Sequence, residues 1–147
     1  MAKIGLLVLL LMFTCCTTTS KTSSVPLKNI PAELLGNFND DYDISYTINN
    51  DVWIQHPGIQ YHLLSYDSKG EYFIAKNDAG NPSEAGLYTR IDIMHLQGME
   101  PFTWGFCLTA YKAKTIEEAI TTASADRSNP KMGCGGYPFS RMKRLMK

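Results

Sequence analysis

Short alternations of apolar and polar residues, broken by turn sequences and not by any helix-length apolar stripe, limit what this chain can fold into. Tyr42, Ile44, Tyr46 and Ile48 alternate with Asp43, Ser45 and Thr47, the period of two expected of a strand with one wet face. Asn49-Asn50-Asp51 then turns the chain into residues 52–55. Residues 61–66 and 71–76 flank Asp67-Ser68-Lys69-Gly70, a hairpin sequence with glycine where positive φ is tolerated. Asn77-Asp78-Ala79-Gly80-Asn81-Pro82 is a loop, and residues 86–96 and 102–112 are longer strands joined across residues 97–101. With residues 33–38 this gives about seven strands and no intervening helices, an antiparallel meander and not a set of parallel βαβ units.

One short helix follows the long strands. Thr115 and Glu118 form a capping box, and Ile116, Ala119, Ile120 and Ala123 share a face. It ends before the turn cluster Asp126-Arg127-Ser128-Asn129-Pro130. Residues 136–140 are expected to add a last strand, which Pro138 confines to an edge. Arg141, Lys143, Arg144 and Lys147 read as a solvated, frayed end, with contact to anionic headgroups as the alternative.

The N-terminus reads as an export leader. Lys3 supplies a positive n-region, and residues 4–13 supply an apolar stretch of signal-peptide length. That stretch falls well short of the ~20 residues of a membrane span. Cys15 and Cys16 follow it, so residues 1–16 are expected to be a lipoprotein-type signal ending at a lipidated Cys15 or Cys16. An ordinary secretory cleavage within Thr17-Thr18-Thr19-Ser20 is the alternative. Residues 17–30 are Thr/Ser-rich at their start and suit a flexible tether, leaving residues 31–147 as one domain. Diacylation plus N-acylation anchors far more firmly than one chain, at about 0.8 kcal/mol per buried CH₂. The expected location is therefore the bacterial cell envelope, with the membrane as partner through the N-terminal anchor and the domain facing the periplasm or the surface.

Apolar residues make up 44% and charged residues 19% of the chain, which suits a folded core and not disorder. A net charge of +0 gives no electrostatic basis for binding nucleic acid. Cys107 and Cys134 remain in the domain, and an oxidising compartment makes a disulfide the expected state. Neither has a histidine nearby to build a metal site. Strand parity adds a prediction. Trp104, Phe106, Leu108 and Ala110 share one face of their strand, and Gly105, Cys107 and Thr109 the other. If the aromatic face is the core, Cys107 points outward, and the tail carrying Cys134 crosses the outside of the sheet, with Gly105 leaving it room.

Leu34-Leu35-Gly36-Asn37-Phe38 opening a meander, followed by one helix and a tail tied back by a disulfide, resembles a lipocalin-type barrel. Phe38 stands where lipocalins carry Trp in Gly-x-Trp. The resemblance implies that seven to eight strands close into a small barrel with room for an apolar ligand. Residues 104–111 and 129–141 are also similar to a group of short exported bacterial proteins. That likeness implies a disulfide and a defined tail, and brings no activity.

Trp53, Tyr66 and Trp104 are candidate contacts for a small apolar ligand inside the barrel, with His62 and His95 as polar handles. Each also has a plain structural reading, as core aromatic or strand-end histidine. Asp40, Asp41 and Asp43 lack the spacing of a calcium loop and read as turn residues, with acid–base work as the weaker alternative. No nucleophile elbow or zinc-protease motif is present. The sequence thus points to a non-enzymatic envelope lipoprotein, without cofactor or metal, that binds a small apolar ligand or lipid. A filled barrel that binds a protein partner is the alternative.

Overall fold

The structure, a computed structural model, describes residues 29–146. The leader, Cys15, Cys16, residues 17–28 and Lys147 lie outside the described residues. Eight antiparallel strands run as a meander and close into a barrel: β1 (Gly36–Asp40), β2 (Ser45–Ile48), β3 (Val52–Gln55), β4 (Ile59–Asp67), β5 (Tyr72–Asn77), β6 (Tyr88–His95), β7 (Phe102–Ala113) and β8 (Ser140–Arg144). Closure comes from β1, which pairs with both β2 and β8. A 3-10 turn, Ala32–Leu34, precedes β1, and the only α-helix among the described residues, α1 (Ile116–Thr121), lies between β7 and β8.

Inward positions of the strands meet in one cluster dominated by aromatics. Trp53 is its hub, with ring centroids 5.0 Å from Phe106, 5.9 Å from Trp104 and 6.1 Å from Phe73. Phe38 meets Trp104 at 5.1 Å. All four pairs are edge-on, the arrangement the ring quadrupole favours. The period of two is interrupted once in β4, where the register shifts between Leu63 and Ser65. That bulge leaves Leu64 exposed and returns Tyr66 to the interior, 4.6 Å from Phe73.

The tail between α1 and β8 crosses the outside of the wall, as parity predicts. Cys107 faces outward, is buried, and is bonded to Cys134 with Cα atoms 5.5 Å apart. Phe139 and Ala125 pack over this disulfide. A Cβ on Gly105 would stand 3.0 Å from the Ser140 carbonyl oxygen and 3.4 Å from the Phe139 Cβ, so a larger residue there would press on the backbone of β8.

A buried ionic network holds the same layer. Arg90 and Asp92, two apart on the outer face of β6, are paired at 3.0 Å with side-chain exposures of 7% and 0%. The Arg90 guanidinium donates to the carbonyls of Ile120 and Thr122, at the C-terminal end of α1, and stacks 3.8 Å from the Tyr72 ring centroid. Asp92 also accepts from the Thr109 hydroxyl, the Ala125 amide and Arg127. Its lone pairs are thus satisfied, the condition under which a buried charge is tolerated.

Two elements differ from expectation. The helix stops at Thr121; Thr115 caps it through the Glu118 amide as expected, yet of its apolar face only Ala119 is buried, with Ile116 and Ile120 exposed. The last strand is residues 140–144 and not 136–140, because Phe139 is held in the outer layer by its amide bond to Pro130 O. Arg141, Lys143 and Arg144 of the basic end are therefore paired into the barrel and not frayed. Met142 is fully buried in the core, and the neighbouring cations are placed by it: Arg141 bonds Asp41 at 2.8 Å and Lys143 lies 3.7 Å from Asp43.

Candidate functional site

The two ends of the barrel are built differently. At the end where β1 begins, the 3-10 turn lays Leu34 across the interior, fully buried. Arg144 fastens that plug. Its guanidinium donates to the carbonyls of Leu35, Ala32 and Glu33 and lies 4.8 Å from the Phe38 ring centroid.

The other end is not plugged. There β7 continues beyond the start of β8, and a cleft of about 420 Å³ opens between β7 and the facing strands, lined by Ile44, Tyr46 and Gln55 on one side and Phe106, Leu108 and Tyr111 on the other. A smaller cavity of about 80 Å³ adjoins it, shares Leu108 and Tyr111, and is bounded by residues 81–84. The floor is aromatic. Tyr46 donates its hydroxyl to Asp40 at 2.9 Å, and burial, with Asp40 beside it, drives the phenol well above the usual tyrosine range. Burial also raises Tyr61, which lines the smaller cavity.

The residues expected to meet a ligand do not converge on one space. Trp53 and Trp104 are each 1% exposed and lie against one another, so they fill the barrel and do not line a void. Trp104 Nε1 is the one buried side-chain polar atom without a partner among the described residues. His62 points outward and not into the barrel: its Nε2 lies 2.7 Å from Asp78 Oδ2, and this bond holds the Asp78 carboxyl below the usual range. Simple alternation along β4 would put His62 on one face with Leu64 and Tyr66; it does share the wet face with Leu64, but the bulge turns Tyr66 to the interior. His95 has inward parity yet reaches solvent at the end of β6, 3.3 Å from Glu71. Tyr66 is half-buried against Phe73, near the plugged end.

Asp40, Asp41 and Asp43 serve the turn between β1 and β2. Asp40 accepts from the amides of Tyr42 and Ile44, and Asp41 from the Arg141 amide and guanidinium. Among the described residues no group of three His, Cys, Asp or Glu side chains is placed to hold a metal ion, and no helix is long and apolar enough to cross a membrane. A third cleft, about 520 Å³, lies on the outer wall between Tyr42, Met99, Lys131 and Phe139.

Sequence reasoning missed the open end. Ile44, Leu108 and Tyr111 look like ordinary strand residues, and the signal that marks them is the length of β7 against the proline-delayed start of β8. It also missed the Arg90–Asp92 network, although a charged pair two apart within an otherwise apolar strand is visible in the chain.

Fold and site together define a closed antiparallel β-barrel with a filled interior, one plugged end and one open end. No family model, curated protein or solved structure matches the chain.

Proposed function

We propose that this protein is a lipid-anchored component of the bacterial envelope whose filled barrel binds a protein partner at its open end, without chemistry of its own. The observation that carries this reading is the occupied interior. Trp53, Trp104, Phe38 and Phe73 are all at most 1% exposed and packed edge to face, so a ligand could enter only by displacing the core. Accessible apolar surface is instead available at the open end, where Leu108 is half-buried and Tyr111 is 46% exposed. The apolar leader followed by Cys15 and Cys16 supports the anchor, and the Thr/Ser-rich tether supports a domain presented away from the bilayer.

The open cleft also supports a second reading, a small apolar ligand seated in the mouth, since its volume falls within the roughly 300–1,000 Å³ of ligand sites. One experiment separates the two. The full chain, carrying a photo-crosslinking residue at Tyr111 or at Leu64 on the opposite wall, is expressed in a bacterial envelope and irradiated, and the untreated protein is weighed by native mass spectrometry. A discrete protein adduct from position 111 and not 64, with no extra non-covalent mass, supports partner binding. A released small molecule, with no adduct, overturns it in favour of the ligand.

A further inference from the structure

The way a partner engages the open end follows from the strand ladders, and it rests on the partner-binding reading above. β7 is 12 residues long and β8 only 5. β6 accompanies β7 as far as Ala113, whereas β8 accompanies it only from Phe102 to Phe106. The cause is local. Pro138 has no amide to give a ladder, and Phe139 is pulled into the outer layer, where its amide bonds Pro130 O. The tail therefore leaves the sheet immediately before Ser140, and its line beyond that point is vacant. Among the described residues, β7 beyond Phe106 pairs with β6 at Cys107, Leu108, Ala110 and Ala113, with two register shifts between them, and has no strand on its other side; its Tyr111 carbonyl accepts from the Asn77 side chain.

An edge of this kind presents amide and carbonyl groups without a strand partner, here in short runs between the bulges, and natural barrels usually remove or cover such edges. Here it runs along the open cleft, with Ile44, Tyr46 and Gln55 as the far wall. We infer that the partner binds as a single extended peptide segment added to the free edge of β7, in line with β8 and antiparallel to β7. An extended backbone supplies complementary donors and acceptors to the groups of such an edge that face it. Alternate side chains of the segment then point into the apolar cleft between Leu108 and Tyr46, so the partner carries apolar residues at every second position. The far wall argues for one strand and not a second copy of the barrel, because edge-to-edge pairing of two sheets needs a rim open on that side.

The probe is a peptide selected from a random dodecamer library displayed on phage, with the full chain in detergent as the target. The selected peptide is then N-methylated one amide at a time. The expected result is a loss of at least tenfold in affinity at the amides that face β7 and little change at those that face away. Amide exchange in residues 107–113 should slow on binding, and the peptide should suppress the crosslinks formed from position 111. Binding indifferent to N-methylation, or binding that leaves exchange in β7 unchanged, overturns strand addition. So does a dimer of the chain that protects the same amides without peptide. If no peptide is selected, or if it fails to compete while crosslinks from position 111 persist, the strand inference falls and the partner reading stands. Absence of those crosslinks removes the partner reading itself.

Discussion

At the plugged end of the barrel the polar groups near the chain's entry are matched, whereas at the open end, among the described residues, a stretch of β7 has a strand on one side only. Arg144 satisfies three carbonyls of the 3-10 segment while covering Phe38, and Leu34 closes the interior beneath it. Beyond Phe106, β7 keeps one bulged edge without a strand beside partly exposed Leu108. One sheet therefore carries its stability toward one end and its reactive surface at the other. A fold departs from full internal consistency chiefly where function requires it, so the difference between the ends is itself the reason to look for binding at the open one.

Truncating an aromatic at the plugged end should have the largest effect. Phe38→Ala removes a fully buried ring together with its contacts to Trp104 and Arg144, and should cost about 3–5 kcal/mol in urea unfolding. Leu108→Ala, at a half-buried site, should cost only about 1–2 kcal/mol because less area is lost from water. Equal costs at the two positions would break the comparison. Next is the disulfide, which lies in the outer layer beside the open cleft. Replacing both Cys107 and Cys134 by Ser should cost about 3.5 kcal/mol in the chain-entropy model, read as the difference between unfolding curves of the pair and the parent protein. Arg144→Ala should cost about 1–2 kcal/mol through three lost hydrogen bonds, and faster amide exchange should follow in residues 32–36 without change in β7.

Much of this architecture is legible in the chain, for reasons that differ by region. The meander is readable because turn chemistry at Asn49-Asn50-Asp51 and Asp67-Ser68-Lys69-Gly70 separates alternating segments. The outward Cys107 is readable because Trp104 and Phe106 fix parity for that part of β7; beyond Leu108 a register shift places Ala110 opposite outward-facing Arg90, against simple alternation. The closing strand is not, since a single apolar residue, Met142, stands among cations, and local pattern cannot outweigh so much charge. Tertiary pairing does so, through Asp41 and Asp43 brought from the far side of the closure. The orientation of His95 fails similarly: its parity is inward, but parity does not say where a barrel ends. The candidate site depends on unequal strand lengths, a property of two segments compared in space, and no single stretch of sequence displays it.

Tyr46 tests the floor of the open end through pH. Its hydroxyl is buried and donates to Asp40, so the folded state favours the neutral phenol and titrates above the ordinary 10.0. Below pH 10 both folded and unfolded states hold the proton, and the stabilisation is fully present. Above it the unfolded chain releases the proton first, and stability falls as pH rises. Unfolding midpoints should therefore be flat with respect to this group at neutral pH and decline above about pH 10. Tyr46→Phe should flatten part of that decline; an unchanged alkaline slope would mean that the floor is wet.

The smallest effect on stability should come from the residue with the greatest consequence for binding. Tyr111 is largely exposed and borders both cavities of the open end. Its ring takes little part in the core, so Tyr111→Ala should move the unfolding free energy by no more than about 0.5 kcal/mol. The same change removes an amphipathic ring from the rim of the cleft, the type of side chain that concentrates energy at interfaces. It should weaken the selected peptide by about tenfold while its N-methylation pattern persists, because the main-chain bonds to β7 do not depend on that side chain. A large loss of stability would place Tyr111 among the structural residues and erase the contrast between the ends. A loss of the N-methylation pattern would show that the ring, and not the strand edge, is what the peptide reads.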